Sequence, residues 1–314
     1  MIRTMTERET ERARGDWRDL DLLDVASQLA VFDAADAGVA PAVAAAGEAI
    51  AEVVALAVGA LRGGGRLVYV GAGTAGRIAA LDAAEVGPTF GVGSDLVVAV
   101  VAGGAAALAD AEEGLEDDED AGAHDVDAAR VGPQDLVVGV TASGSTPYVV
   151  SALRRAAELG ATTALVVSTP GSPAEQVVDR TVLVETGPEV VAGSTRLRAG
   201  TAQKLVLNRL STLAMVGLGQ TYGNLMIGVR PDNEKLRERQ RRILVEASGC
   251  TSDEAETALA STGRDARAAL VVLLTGCAPE AASATVREAR GHVRQAIRAI
   301  ALDGATGPAG GIGT

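Results

Sequence analysis

Rings are scarce in this chain. Its 314 residues include one tryptophan, three tyrosines and two phenylalanines, only 2% aromatic. Such a core must be built from Ala, Val and Leu, and it offers few platforms for stacking bases or sugar faces. Cysteine is as rare. Cys250 and Cys277 lie far apart and near no metal-ligand partners, which argues against a disulfide framework and fits a reducing compartment. The only lysines are Lys204 and Lys235, and the formal net charge is −13. That balance argues against nucleic acid or an anionic membrane as the main partner. No uninterrupted apolar run is long enough to span a bilayer, and the charged start, MIRTMTERETERARGDW, has no apolar segment of the secretory kind. The expectation is a soluble, cytoplasmic protein.

What is present is hydrophobic material, 47% of the chain, in short runs. A polar arm and an Ala-rich helical region precede a stop at Gly63-Gly64-Gly65. Strand and helix then alternate. Near-continuously apolar, β-branched runs at 66–70, 96–101, 136–141, 162–168 and 181–185 read as strands buried on both faces. Helical stretches are expected at about 74–84, 104–121, 146–159 and 172–178. This is α/β patterning: a doubly wound five-stranded parallel sheet, whose ligand binds beyond the strand C-termini. A long helix from about Ser194 to Gly219 follows, then a charged helix to Arg242. Asp253–Ala260, Asp265–Leu274 and Pro279–Ile300 read as a small C-terminal helical module. The expected divisions are an arm and helix over 1–45, the sheet domain over 46–230, the helical module over 231–303 and a Gly-rich disordered tail over 304–314.

Two strand-to-helix corners carry the chemistry. The first is Gly71-Ala72-Gly73-Thr74-Ala75-Gly76, entering a helix that should stop at Glu85 before Gly87-Pro88. It has the spacing of a dinucleotide fingerprint, but the second strand ends without the acid that would hold a ribose. The second corner, Val140-Thr141-Ala142-Ser143-Gly144-Ser145-Thr146-Pro147-Tyr148, puts the three hydroxyls of Ser143, Ser145 and Thr146 and free N–H groups at a helix start, with Thr146 at the cap and Pro147 in the first turn. It suits a phosphate without metal or lysine. Together, the corners point to one ligand held between them, phosphate at one end. Glu85, at an expected helix C-terminus, faces the dipole's unfavourable end and so suits a general acid. The run Glu112-Glu113-Gly114-Leu115-Glu116-Asp117-Asp118-Glu119-Asp120 reads mostly as a solvated helix end, and composition singles out none of its members. Isolated His124 and His292 argue against a catalytic metal. The polar stretch Gly187 to Lys204 either solvates its helix or closes over a phosphorylated sugar.

Four motifs then carry a family resemblance: GAGTAGRIAALDAAEVGPTFG (71–91), DLVVGVTASGSTPYVVSAL (135–153), GPEVVAGSTRLRAGTAQKLVLNRLST (187–212) and YGNLMIGVRPDNEKLRERQ (222–240). Over about 50–300 the chain resembles the N-acetylmuramic acid 6-phosphate etherases, sugar-isomerase (SIS) domain proteins related to the glucokinase regulatory protein. The resemblance implies cleavage of the sugar's lactyl ether by elimination and water addition, without cofactor or metal, by a homodimer. Glu85 falls on the family's proton-donor glutamate and Glu116 on its second active-site glutamate, here assigned as acid and base. The resemblance further implies that Gly73, Thr74, Ser143, Gly144, Ser145, Thr146, Glu189, Ser194 and Lys204 hold the sugar phosphate. The chain has Ala75 where serine is usual, Val86-Gly87 for Cys-Pro, and Ser145 for the commoner arginine. The competing readings are a non-catalytic sugar-phosphate regulator, or an SIS lyase or isomerase on another sugar phosphate.

Overall fold

A computed structural model describes residues 12–110, 114–229 and 234–305; Thr6 and Glu7 of the arm, Glu112 and Glu113 of the acidic run, Asn233 and the tail from 306 lie outside the described residues. Five parallel strands form one sheet: β1 (Leu67–Gly71), β2 (Val97–Val101), β3 (Leu136–Val140), β4 (Thr162–Val167) and β5 (Arg180–Leu183). Their order is β2-β1-β3-β4-β5. Every residue of β1 and β3 is buried, as their unbroken apolar sequences require. Register sets Gly71 at the end of β1 opposite Val101 of β2 and Val140 of β3. Three strand ends therefore meet at one edge, and the reversal of strand order between β1 and β3 leaves a crevice there.

Before the sheet come α1 (Val25–Asp36), α2 (Val39–Ala45) and α3 (Gly47–Arg62). Asp24 caps α1 by accepting the Ser27 N–H at 2.8 Å. On one sheet face, Val68, Val70, Val137 and Leu165 pack with Tyr148, Val149, Ala152 and Leu153 of α7 (Pro147–Glu158) and Val126 of α6 (Glu119–Ala128). On the other, Tyr69 of β1 meets Asp82 of α4 (Gly73–Phe90), which also holds Asn208 and Ser211 of α8 (Arg198–Gly217).

The chain divides into two compact units, one running to Glu85 and from Gly93 to Ala214, the other Val86–Val92 and from Met215 onward. This division falls at Ala214–Met215 rather than at 230. The second unit holds α9 (Glu234–Ser248), α10 (Ser252–Ser261), α11 (Ala266–Thr275), α12 (Pro279–Glu288) and α13 (Val293–Ala305), around Leu244, Leu259, Leu270 and Val286. Cys250 is half-buried and packs on this core.

Four expected helices need correction. The helix from the first corner does not stop at Glu85: α4 continues through Pro88 to Phe90. Val86 and Phe90, four residues apart, are both buried in the second unit. Burial of that pair outweighs the one hydrogen bond that Pro88 removes. The expected helix over 104–121 is broken into α5 (Ala106–Ala109), a 3₁₀ turn Leu115–Asp117 and α6. Gly114 at φ +90° takes a left-handed conformation there, and the Asp118 carboxylate caps α6 through Ala121 N–H. Pro279–Ile300 splits at Arg290-Gly291, both at positive φ, and 172–178 is a short 3₁₀ turn, Pro173–Val177. Among the described residues, no single helix is long and apolar enough to cross a membrane.

Candidate active site

The crevice at the β1/β3 edge is a cavity of about 510 Å³. One wall is the β1–α4 turn. Glycine is obligatory here because the backbone folds onto itself: a Cβ on Gly71 would lie 2.8 Å from the Gly76 N, and one on Gly76 2.8 Å from the Gly71 O. The tight turn presents Ala72, Gly73, Thr74 and Ala75 to the cavity. β2 continues into Ala102 and Gly103, with no acid for a ribose.

The facing wall is the β3–α7 corner. Thr141 Oγ1 accepts the Gly144 N–H at 3.2 Å and lies 3.0 Å from Thr146 Oγ1. Ser145 donates through both N–H and hydroxyl to Ser143 Oγ, at 3.2 and 3.0 Å. Thr146 is the N-cap residue of α7 and Pro147 its first residue, as expected, but the Thr146 hydroxyl makes no cap bond and lines the cavity instead. Gly144 forms the base. It has φ +67°, its carbonyl accepts Ala174 N–H at 2.9 Å, and a Cβ would stand 2.2 Å from Ser172 Oγ. The corner therefore offers hydroxyls and a helix N-terminus, the donors an anion requires.

Glu116 reaches the rim from the 3₁₀ turn, with Asp117 beside it. Leu115 anchors that turn in the core of the α6–α7 face. Upstream, the Arg77 guanidinium of α4 donates to Ala107 O at 3.1 Å and Asp110 O at 3.3 Å. The segment that delivers Glu116 is thus held from both sides. The third wall is the loop into α8, through Gly193, Thr195 and Gln203.

Of the expected site residues, Gly73, Thr74, Glu116, Ser143, Ser145 and Thr146 line this cavity. Gly144 sits behind it. Glu189 does not face it: buried, its carboxylate accepts Arg198 N–H and Ala199 N–H, each at 2.9 Å, and so caps α8. Burial pushes this carboxyl above its usual range despite those donors. Arg198 Nη1 returns a bond to Pro188 O, so the loop is clipped at its base. Ser194 lies in that loop, between two lining residues, and Lys204 is exposed on α8. Glu85 is exposed on α4. At about 1.5 Å per helical residue it stands roughly 18 Å along the axis from Gly73, beyond side-chain reach of its own chain's cavity. Since α4 runs on past Glu85, the argument from a helix C-terminus does not hold for it.

The sequence does not single out Thr195, and it offers Gln203 only together with Arg196, Arg198 and Lys204 as polar groups that could close over a phosphorylated sugar; helical phase is the signal that separates Gln203 from Lys204. A second opening of about 510 Å³ lies at the other end of the strands, around Arg66 and Asp135. Within it Arg66 pairs with Asp135 at 2.7 Å and donates to Ala129 O and Arg130 O. Among the described residues, no group of three His, Cys, Asp or Glu could hold a metal ion.

Residues 49–157 match the N-terminal SIS domain of glucokinase regulatory protein, and 104–213 the SIS domain. The fold is also that of a phosphoheptose isomerase from Francisella tularensis, TM-score 0.51 and 17% identity, covering 62% of this chain and all of that one. The N-acetylmuramic acid 6-phosphate etherase of Rubrobacter xylanophilus is 49% identical over 297 residues, 95% of this chain and 98% of its own. That of Thermobifida fusca is 52% identical over 266 residues, 85% and 87% of the two chains. The chain belongs to the N-acetylmuramic acid 6-phosphate etherase family. In this etherase-family chain, the SIS match at 104–213 takes in the phosphate-type corner, Glu116 and the start of α8. The glucokinase regulatory protein match takes in both corners.

Proposed function

We propose that the protein cleaves the D-lactyl ether of N-acetylmuramic acid 6-phosphate, giving N-acetylglucosamine 6-phosphate and D-lactate. The observation that carries this is the placement of Glu116 at the rim of a cavity whose other end is a hydroxyl-lined helix N-terminus, in a chain of this family. The phosphate binds at Ser143, Ser145 and Thr146. In the open-chain sugar, the proton next to the carbonyl is acidified by it, and Glu116 takes that proton as base. The electrons left behind expel lactate from the adjacent carbon as an acid protonates the departing oxygen. Water then adds to the resulting double bond. A carboxylate pair suffices for these proton transfers, and the proposed chemistry uses no metal.

The acid is Glu85, supplied to this cavity by a second copy of the chain in a homodimer. Two features support the arrangement: the distance of Glu85 from its own cavity, and the exposed apolar side chain beside it. Leu81, one helical turn before Glu85, is 56% exposed. Apolar surface so placed is suited to burial by a partner. Free cysteines and a phosphorylated substrate fit a cytoplasmic location. The test is D-lactate release from N-acetylmuramic acid 6-phosphate. Release is expected from the wild type and not from Glu116→Gln; tight binding of the substrate without release would refute the enzyme reading.

A further inference from the structure

Gln203 lines the cavity and is 3% exposed. Its carboxamide has no hydrogen-bond partner among the described residues, and it is not among the polar atoms sealed away from every opening. A buried amide left unpaired is costly, so one that borders a cavity is set to meet what enters. The backbone places it closely. Gly200, three residues earlier on α8, faces the first turn of α4: a Cβ there would stand 3.6 Å from Thr74 Cγ2 and 3.5 Å from Ile78 Cδ1. Residues three apart share a helix face, so Gln203 lies on the α8 face turned toward α4, and it lines the same cavity as Thr74 and Ala75. Ala72 and Ala75 of the β1–α4 turn line the cavity too.

We propose that Gln203 is a specificity-determining residue that reads the 2-acetamido group of the sugar phosphate. The assignment rests on the etherase reading for the identity of that sugar. A carboxamide offers one acceptor oxygen and two N–H donors. An acetamido group presents the complement, a carbonyl acceptor and an N–H donor, so the two can exchange a pair of hydrogen bonds where a hydroxyl would satisfy one. The acetyl methyl then lies against the alanines. The hydroxyls of the β3–α7 corner are left to the phosphate, and the two ends of the sugar are recognised by different chemistry.

The experiment is calorimetric titration of the full chain with N-acetylglucosamine 6-phosphate and with glucose 6-phosphate, which keeps the phosphate and lacks the acetamide. The wild type should prefer the acetamido sugar by about 10- to 100-fold, the range for a buried polar pair left unmade. Gln203→Leu should abolish that preference while changing glucose 6-phosphate affinity less than about threefold. Should Gln203→Leu not fold, Gln203→Met, unbranched and closer in shape, makes the same comparison. Retention of the preference in the variant, or equal weakening of both ligands, would overturn the assignment. If the wild type shows the acetamido preference but releases no D-lactate, the etherase reading fails and the role of Gln203 stands.

Discussion

The distance between Glu85 and its own cavity makes one prediction quantitative. Glu85 lies roughly 18 Å along α4 from the turn that forms the cavity wall, whereas a glutamate side chain reaches about 4 Å. An acid and base on one chain would therefore serve two different sites of a homodimer. On the proposed roles and homodimer, Glu85→Gln alone removes the acid from both sites, and Glu116→Gln alone removes the base from both. General acid or base catalysis contributes about 10²- to 10⁴-fold, so each variant should lose at least about two orders of magnitude in kcat. The phosphate corner is untouched, so KM should change little.

Mixing the two inactive variants under exchanging conditions tests the geometry. In a hybrid dimer, the chain carrying Glu85→Gln keeps its own Glu116 and receives Glu85 from its partner, which restores one site. The other site has neither. Random exchange makes about half the dimers hybrid, so about a quarter of the wild-type activity should return. Continuous D-lactate detection during titration of one variant with the other reads this directly, and the recovery should peak at equal proportions. If both variants are inactive and dimeric, exchange is confirmed by mass spectrometry, and the mixture stays inactive, the shared-site reasoning is refuted.

Three further outcomes follow from contacts in the first unit. Arg77→Ala removes the two bonds that hold the Glu116 segment at Ala107 and Asp110; kcat should fall about 10- to 100-fold with KM within about threefold, since small misplacement of a catalytic group is that costly. Partial recovery in Arg77→Lys is expected, and an unchanged kcat would exclude the positioning role. Arg130 sits at φ +52° after α6, with Val131 N–H bonded to Val126 O and Arg130 N–H to Asp127 O, the helix stop that favours glycine. Arg130→Gly should stabilise by about 1 kcal/mol, read as a rise of a few degrees in the first melting transition. Asp135 is pushed up by burial but pulled further down by hydrogen bonds from the Arg66 side chain, the Gly132 N–H and the Arg66 N–H, so its carboxyl titrates below its usual 3.8. A depressed carboxyl stabilises fully above its unfolded value and loses that contribution as pH falls through the folded one. Asp135→Asn should therefore cost about 2–4 kcal/mol in urea unfolding at pH 7 and pH 5 alike, with the gap closing as the pH drops below the unfolded value.

How much of this could be read in advance depended on the range of the forces involved. Strand positions were legible because β1 and β3 are buried on both faces, and burial leaves an unbroken apolar run in the sequence. The phosphate-type corner was legible because its hydroxyls, glycine and proline are all local requirements of one turn. The extent of α4 was not. Gly87-Pro88 is a sound local stop, and only the burial of Val86 and Phe90 in the second unit overrides it. Glu189, which the family resemblance puts among the sugar-phosphate residues, is a related case: nothing in the loop's composition discloses that the chain returns to give its carboxylate two N–H donors.

The polar stretch from Gly187 to Lys204 shows what separates a site residue from its neighbours. Its two most conspicuous charges, Glu189 and Lys204, do not face the cavity, one serving as a helix cap and the other lying at the surface. The neutral Gln203 does face it. A charged group can be held in water or by backbone donors, so its presence in a loop says little about where it points. A buried carboxamide without a partner has no such outlet, because the free energy lost on leaving water is recovered only when something in the cavity hydrogen-bonds to it. Unmet hydrogen-bonding capacity beside a cavity is thus a better guide to the ligand here than charge, and it points to an uncharged polar group on the sugar, opposite the phosphate.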